Sequence, residues 1–285
     1  MLRTFALDPS QALVAHVTGE PVTPRAASTV LLLRDGAEGP QVFVLRRAAS
    51  MAFAPSMHAF PGGGVDPRDA DPAVPWVGPG PAWWARSLGT DEVQARELVS
   101  AAVRELFEES GVLLAGRDAT SVVGDDHDDG DRDGGDDHGG DAWEADRLAL
   151  LDRSLALSEL LGRRSLALRS DLLRPWAHWL TPEHEPRRYD TRFFIAALPP
   201  GQQARDVGGE ADHAGWLGAR AAVQGQQQGR LAMLAPTLVS LEEVAAHPDV
   251  ASVLAVRRRV GRVTPWLVDD GLQVDLDGIG GGVPR

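Results

Sequence analysis

Arg104-Glu105-Leu106-Phe107-Glu108-Glu109-Ser110-Gly111-Val112 places three carboxylates at i, i+3 and i+4 of a segment with helical periodicity. That spacing sets Glu105, Glu108 and Glu109 on one helical face. Anions held side by side repel one another, so a fold that keeps them together calls for a cation. Carboxylate oxygens are hard ligands that suit Mg²⁺ or Mn²⁺, and such metals act most often on phosphate oxygens. The alternative is a solvated acidic face. Two neighbours argue against it: Arg104 can bridge a carboxylate, and Gly111 stands where a helix C-cap belongs. Upstream, Phe60-Pro61-Gly62-Gly63-Gly64-Val65-Asp66 reads as a Gly-rich turn after a strand.

The pattern around this stretch is that of an α/β chain. Ser28 to Arg34 and Gln41 to Arg47 are apolar-rich strands joined by the hairpin signal 35–40, and residues 48 to 59 read as a loop. Glu92 to Ser110 is predicted helical, with Asp91 or Thr90 as N-cap. Its positions Val99, Val103 and Leu106 should face the core. Trp143 to Leu161 reads as one helix of about five turns. Leu172 to Leu180 and Arg192 to Leu198 read as strands, and Glu210 to Trp216 as a loop leading into another. Ala219 to Gln228 and Thr237 to Ala246 are short helices. Residues 251 to 276 alternate as a terminal hairpin would, and 278 to 285 should fray.

Composition narrows the function classes. The chain has 285 residues, no cysteine and a net charge of −13. Disulfides, thiolate metal sites and a Cys nucleophile are therefore excluded. Residues 118 to 146 hold twelve Asp and Glu against a single Arg, which carries most of that charge. Residues 124 to 141 are almost wholly Asp, Gly and His and cannot bury apolar surface, so a mobile loop is expected, with His127 and His138 solvated rather than ligating. No basic patch of the kind nucleic acid requires is present. No apolar run approaches the ~18 residues that span a bilayer. The first residues lack a signal-peptide core and the last are not a peroxisomal address, so a cytoplasmic protein is the default expectation.

The two stretches quoted above together resemble the Nudix box, G-x5-E-x7-R-E-U-x-E-E-x-G-U with U aliphatic. The second half matches at every specified position from Arg104 to Val112. The first half is displaced. Gly63 and Asp69 imitate G-x5-E with Asp for Glu, and a contiguous box would put the acid at position 96, where Arg96 stands. The Pro- and Trp-rich segment Pro72 to Glu97 separates the halves. Such a split box is similar to the branch of coenzyme A diphosphatase-like proteins. Trp176 to Pro182, Arg187 to Phe194, and Gly229-Arg230-Leu231 leading to Pro236-Thr237 also look like that branch.

The resemblance covers about residues 25 to 247 and implies an α/β/α sandwich with a mixed sheet plus insertions. It implies one domain over 1–285, with an insert at about 70–97 and an acidic loop at about 121–142. By carry-over, Glu105, Glu108 and Glu109 form the metal set for Mg²⁺ or Mn²⁺, and Arg104 orients their carboxylates. Glu105 and Glu210 are alternative groups for activating water. Gly62 and Gly63 let backbone approach helix or substrate. Arg46 or Arg47 would hold phosphate, with solvated strand-end arginines as the alternative. Arg187-Arg188-Tyr189-Asp190 reads as a structural ion-pair network before a phosphate site, and Trp76, Trp83 and Trp84 as packing for the insert.

The implied activity is hydrolysis of a nucleoside-diphosphate-linked compound, with coenzyme A or acyl-coenzyme A leading. A nucleotide-sugar or dinucleotide diphosphatase is the alternative within the class. A nucleotide-sensing module without catalysis is the alternative outside it, disfavoured because all three helix acids are kept. The implied partner is a small nucleotide-derived molecule, with neither nucleic acid nor membrane, and relatives of this kind are often homodimers.

Overall fold

The run Val30-Leu31-Leu32-Leu33 has no exposed residue, and its side chains alternate between two separate cores. Val30 and Leu32 belong to one, Leu31 and Leu33 to the other. A strand apolar on both faces must lie inside a layered sheet. The computed structural model describes residues 1–5, 20–49, 54–124, 140–207, 211–269 and 271–277.

Along the chain, β1 (Leu2–Phe5) precedes β2 (Arg25–Gly36) and β3 (Gly39–Arg47), with β2 and β3 paired as a hairpin that closes on Gly36 and Gly39. Then come β4 (His58–Ala59), β5 (Gly62–Gly64), a 3₁₀ turn (Pro67–Ala70) and β6 (Trp76–Val77). Helices α1 (Pro81–Leu88) and α2 (Glu92–Ser110) follow, then β7 (Ala115–Gly116). Helices α3 (Asp141–Leu151) and α4 (Leu157–Arg163) lead to β8 (Ala167–Arg169), β9 (Arg174–Leu180), β10 (Tyr189–Ala197) and β11 (Ala211–Gly218). The chain continues through α5 (Ala219–Gln227), α6 (Ala235–Ala245) and α7 (Val250–Leu254) to β12 (Arg262–Val263), β13 (Trp266–Val268) and β14 (Gly271–Asp275).

The central sheet runs β11-β3-β2-β10-β9-β12, with β4 added on β3 and β5 on β2. It is mixed: β10 lies parallel to β2 and antiparallel to β9. Helices α1 to α4 share the first core with one sheet face, and α5 to α7 share the second core with the other. This is the expected α/β/α layering. A small sheet, β1-β14-β13, borders the second core through Phe5 and Val274, and a third, β6-β8-β7, lies beside the first.

The long box helix forms as its sequence dictates. Asp91 caps it by accepting from the Gln94 amide at 2.8 Å, and Gly111, at φ +75°, ends it by donating to Phe107 O. Val99, Val103 and Leu106 are fully buried. Three expectations are corrected. Residues 62–64 are not a turn but a strand paired with β2. The single helix expected over 143–161 is two, broken between Leu151 and Leu157. There Asp152 accepts from the Ser154 amide at 2.8 Å and Arg153 takes φ +65°, a reversal that continuous helix cannot contain. Residues 250–254 are helical, so the terminal hairpin is confined to β13 and β14. The expectations for residues 125–139, which include His127 and His138, and for 278–285 lie outside the described residues.

The segment between the two box-like stretches is anchored in the body. Trp84 is fully buried and meets Phe194 of β10 edge-on at 5.7 Å, whereas Trp83 stays exposed. Trp84→Ala is therefore expected to destabilise the protein by about 3–5 kcal/mol in urea unfolding. A loss below about 1 kcal/mol would mean that this segment is not part of the core.

Candidate active site

Strand β5 pairs with the start of β2, Gly62 opposite Thr29 and Gly64 opposite Ala27, and this brings glycine backbone beneath the end of α2. A β-carbon on Gly62 would sit 2.4 Å from Ser28 O, and one on Gly63 would sit 2.5 Å from Glu105 Oε1. Gly62 needs glycine because backbone already occupies the space, whereas a β-carbon at Gly63 would push the Glu105 carboxylate aside. The approach has a chemical result: the Gly62 amide donates to Glu109 Oε2 at 2.8 Å.

Arg104 organises the rest. Its Nε and Nη2 donate to the two Asp69 carboxylate oxygens at 3.0 and 2.9 Å. Nη1 donates to Glu105 at 2.8 Å and reaches Glu108 at 3.2 and 3.3 Å, and Nη2 also reaches Gly64 O at 3.0 Å. The guanidinium is 10% exposed and the Asp69 side chain 2%. Asp69 in turn caps its own turn, accepting from the Asp66 amide at 2.8 Å. The two separated stretches thus meet in one bidentate, buried ion pair.

One guanidinium faces Asp69, Glu105 and Glu108, and the two glutamates are both raised. Burial pushes the Glu105 carboxyl up to about 7, with repulsion from Glu108 adding to it and Arg104 opposing. Burial also raises Glu108, again opposed by Arg104. Arg104 is raised: burial works against its charge, but Asp69 and the two glutamates outweigh it. Asp66 goes the other way, held down at about 2 by the fork of Arg68. Among the described residues, no three His, Asp or Glu side chains are already arranged to hold a metal ion. Arg104 Nη1 binds Glu105 and Glu108 in common.

A cleft of about 910 Å³ opens beside these groups, lined by Glu105, Glu108, Glu109 and Gly62 to Gly64. It lies where β2 and β10 begin, with Thr29, Thr191 and Phe193 in its lining. The structure separates the two candidate strand-end arginines: Arg47 lines the cleft, and Arg46 is exposed and does not. Glu210 lies outside the described residues. The cluster 187–190 divides as well. Arg188 is buried and donates to Thr181 O and Val22 O, and Asp190 is bonded to His178 and Arg192, whereas Arg187 lines the cleft.

A solved structure of a NUDIX hydrolase from Alicyclobacillus acidocaldarius is 31% identical to this chain, with a TM-score of 0.64, covering 84% of this chain and 98% of that one. The chain belongs to the Nudix hydrolase superfamily. A curated Caenorhabditis elegans protein with the provisional name nudix hydrolase 7 is 25% identical over 209 residues, or 73% of this chain. The chain spans 57% of the length of that relative. No family model matches. No helix among the described residues is long and apolar enough to cross a membrane.

Several residues of this Nudix chain escape a reading of its sequence. Arg147 of α3 is buried and donates to the Glu108 backbone oxygen at 2.7 Å, bracing the box helix from outside the box. Its only sequence signal is Glu144, three residues earlier on the same helix. Arg68, Arg153 and Glu185 also line the cleft.

Two stability predictions follow from the ion pairs. Asp69→Ala leaves the buried Arg104 Nε without its oxygen partner, while Glu105 and Glu108 stay paired with the same guanidinium, and should cost about 1–3 kcal/mol in urea unfolding. For Asp66, the folded carboxyl titrates below its unfolded value. Its contribution of roughly 2 kcal/mol is therefore full above about pH 4 and lost as pH falls through about 2. The difference in unfolding free energy between wild type and Asp66→Asn should close across that window. A difference that stays constant down to pH 2 would contradict the Arg68 pairing.

Proposed function

We propose that this chain is a metal-dependent hydrolase of nucleoside-diphosphate-linked compounds, with coenzyme A or acyl-coenzyme A as leading substrate and Mg²⁺ or Mn²⁺ as the ion. The observation that carries the reading is the charge imbalance at the cleft. Glu105, Glu108 and Glu109 line it together, while Arg104 alone is shared by Asp69, Glu105 and Glu108. A set of hard oxygen donors crowded around one shared guanidinium fits a hard divalent cation. The Asp69–Arg104 pair supports treating the segments around Gly63–Asp69 and Arg104–Val112 as halves of one split box.

Glu105, Glu108 and Glu109 would hold the metal. When bound, the metal offsets charge on the diphosphate oxygens and polarises a water. Arg104 fixes Glu105 and Glu108 against the glycine strand and ties Asp69 to them. The reaction adds the oxygen of water to one phosphorus and breaks the bridging P–O bond. Two phosphate monoesters form and one proton is released. Glu105 and Glu210 are the candidates to take that proton.

Support for a coenzyme A-like substrate comes from Arg47, which brings a guanidinium to the cleft ahead of Phe60-Pro61-Gly62-Gly63 and suits a second phosphate. Apolar lining from Leu150, Leu151, Trp179 and Phe193 suits an uncharged arm.

Glu108→Gln and Glu109→Gln should each lower turnover by roughly 100-fold or more while the protein stays folded by circular dichroism. The assay is a panel of coenzyme A, NADH and ADP-ribose with Mg²⁺ or Mn²⁺. Wild-type turnover in both variants would refute the metal assignment. Products of 3′,5′-ADP and phosphopantetheine identify coenzyme A cleavage. Turnover confined to ADP-ribose or NADH, giving AMP, removes the coenzyme A reading and leaves the hydrolase reading standing.

A further inference from the structure

Arg153 sits at the corner where α3 gives way to α4. Its residue lines the cleft with the box glutamates. The side chain is 78% exposed, and its ion pair is to Asp66 Oδ2 at 3.9 Å, beyond hydrogen-bonding distance. The backbone is left-handed, at φ +65°, a region that residues with a β-carbon enter rarely. The corner is fastened all the same. Arg68 Nη1 donates to Arg153 O at 2.9 Å and to Leu155 O at 3.4 Å, and the Ser154 hydroxyl donates to Ala149 O at 3.3 Å.

Glycine would satisfy this backbone with less strain. What arginine adds is a guanidinium beside the carboxylates. The neighbouring cations are engaged: Arg104 by Asp69, Glu105 and Glu108, and Arg68 by Asp66. Arg153, in the same lining, has donors to spare. We infer that Arg153 is a phosphate-binding residue, donating N–H groups to non-bridging oxygens of the substrate diphosphate opposite Glu105, Glu108 and Glu109. The inference rests on the hydrolase reading above. As the bridging P–O bond breaks, negative charge grows on the departing phosphate. Arg153 stays protonated throughout and meets that charge by hydrogen bonding alone, with a planar fork that matches two oxygens at once.

Arg153→Gly is the test variant, because φ +65° suits glycine and the fold should tolerate it. Arg153→Lys keeps the charge without the fork. Wild type and both variants are assayed on coenzyme A and ADP-ribose with Mn²⁺, and their binding of inorganic pyrophosphate with Mg²⁺ is measured by calorimetry. Arg153→Gly should lose roughly 10- to 100-fold in kcat/KM, weaken pyrophosphate binding comparably and keep its melting temperature, with Arg153→Lys between the two. Wild-type kcat/KM and pyrophosphate affinity in Arg153→Gly overturn the assignment. A wild type that cleaves neither compound but loses pyrophosphate on Arg153→Gly removes the hydrolase reading and leaves this site intact. A wild type that binds no pyrophosphate removes the phosphate role itself.

Discussion

A single buried guanidinium holds the site together. Arg104 is bound bidentately by Asp69, a residue separated from it by a strand and a whole helix, and the same group reaches Glu105, Glu108 and Gly64 O. Removing a cation from water is costly unless its donors are all used in good geometry. Here each of the three guanidinium nitrogens has an oxygen partner. The arrangement locks the 3₁₀ turn at Pro67–Ala70 to the last turns of α2. The positions of Glu105 and Glu108 in the cleft therefore depend on this guanidinium. Arg147 gives a second brace, fixing α3 against the backbone of the same helix end.

The glycines act in the same unit. Strand pairing between β5 and β2 draws backbone up to the helix, and the absence of β-carbons at Gly62 and Gly63 leaves room for Ser28 O and the Glu105 carboxylate. The closeness is used, because the Gly62 amide then reaches Glu109. The segment at 72–97 contributes elsewhere. Its helix α1 puts Trp84 into the first core against Phe194, and none of its residues lines the cleft. It can therefore separate the two box-like stretches in sequence without entering the space where they act.

What could be read from the sequence follows this division between local and distant causes. The α2 helix, its Asp91 and Gly111 caps and its apolar stripe are local properties, and each appears as expected. The Asp69–Arg104 pair is distant. Spacing alone left Asp69 on the far side of an insertion, and only β5 pairing brings it back. The opposite faces of Arg46 and Arg47 follow from the two-residue period of a strand, but which face meets the cleft depends on neighbouring strands. The α3–α4 break has neither Gly nor Pro. Asp152 and Ser154 are turn formers, and the hydrophobic run on both sides masked them.

Two carboxylates within this loop-and-helix unit are driven in opposite directions. Asp66 has the Arg68 fork to itself and titrates at about 2. Glu105 shares Arg104 with two other acids, is buried, and titrates at about 7. The first is held as an anion by its arginine and serves to hold the turn, while burial raises the second against the pull of Arg104. The difference arises from how many acids each arginine must serve. Arg68 serves one and makes a stable anchor. Arg104 serves three, and the two glutamates among them face the cleft.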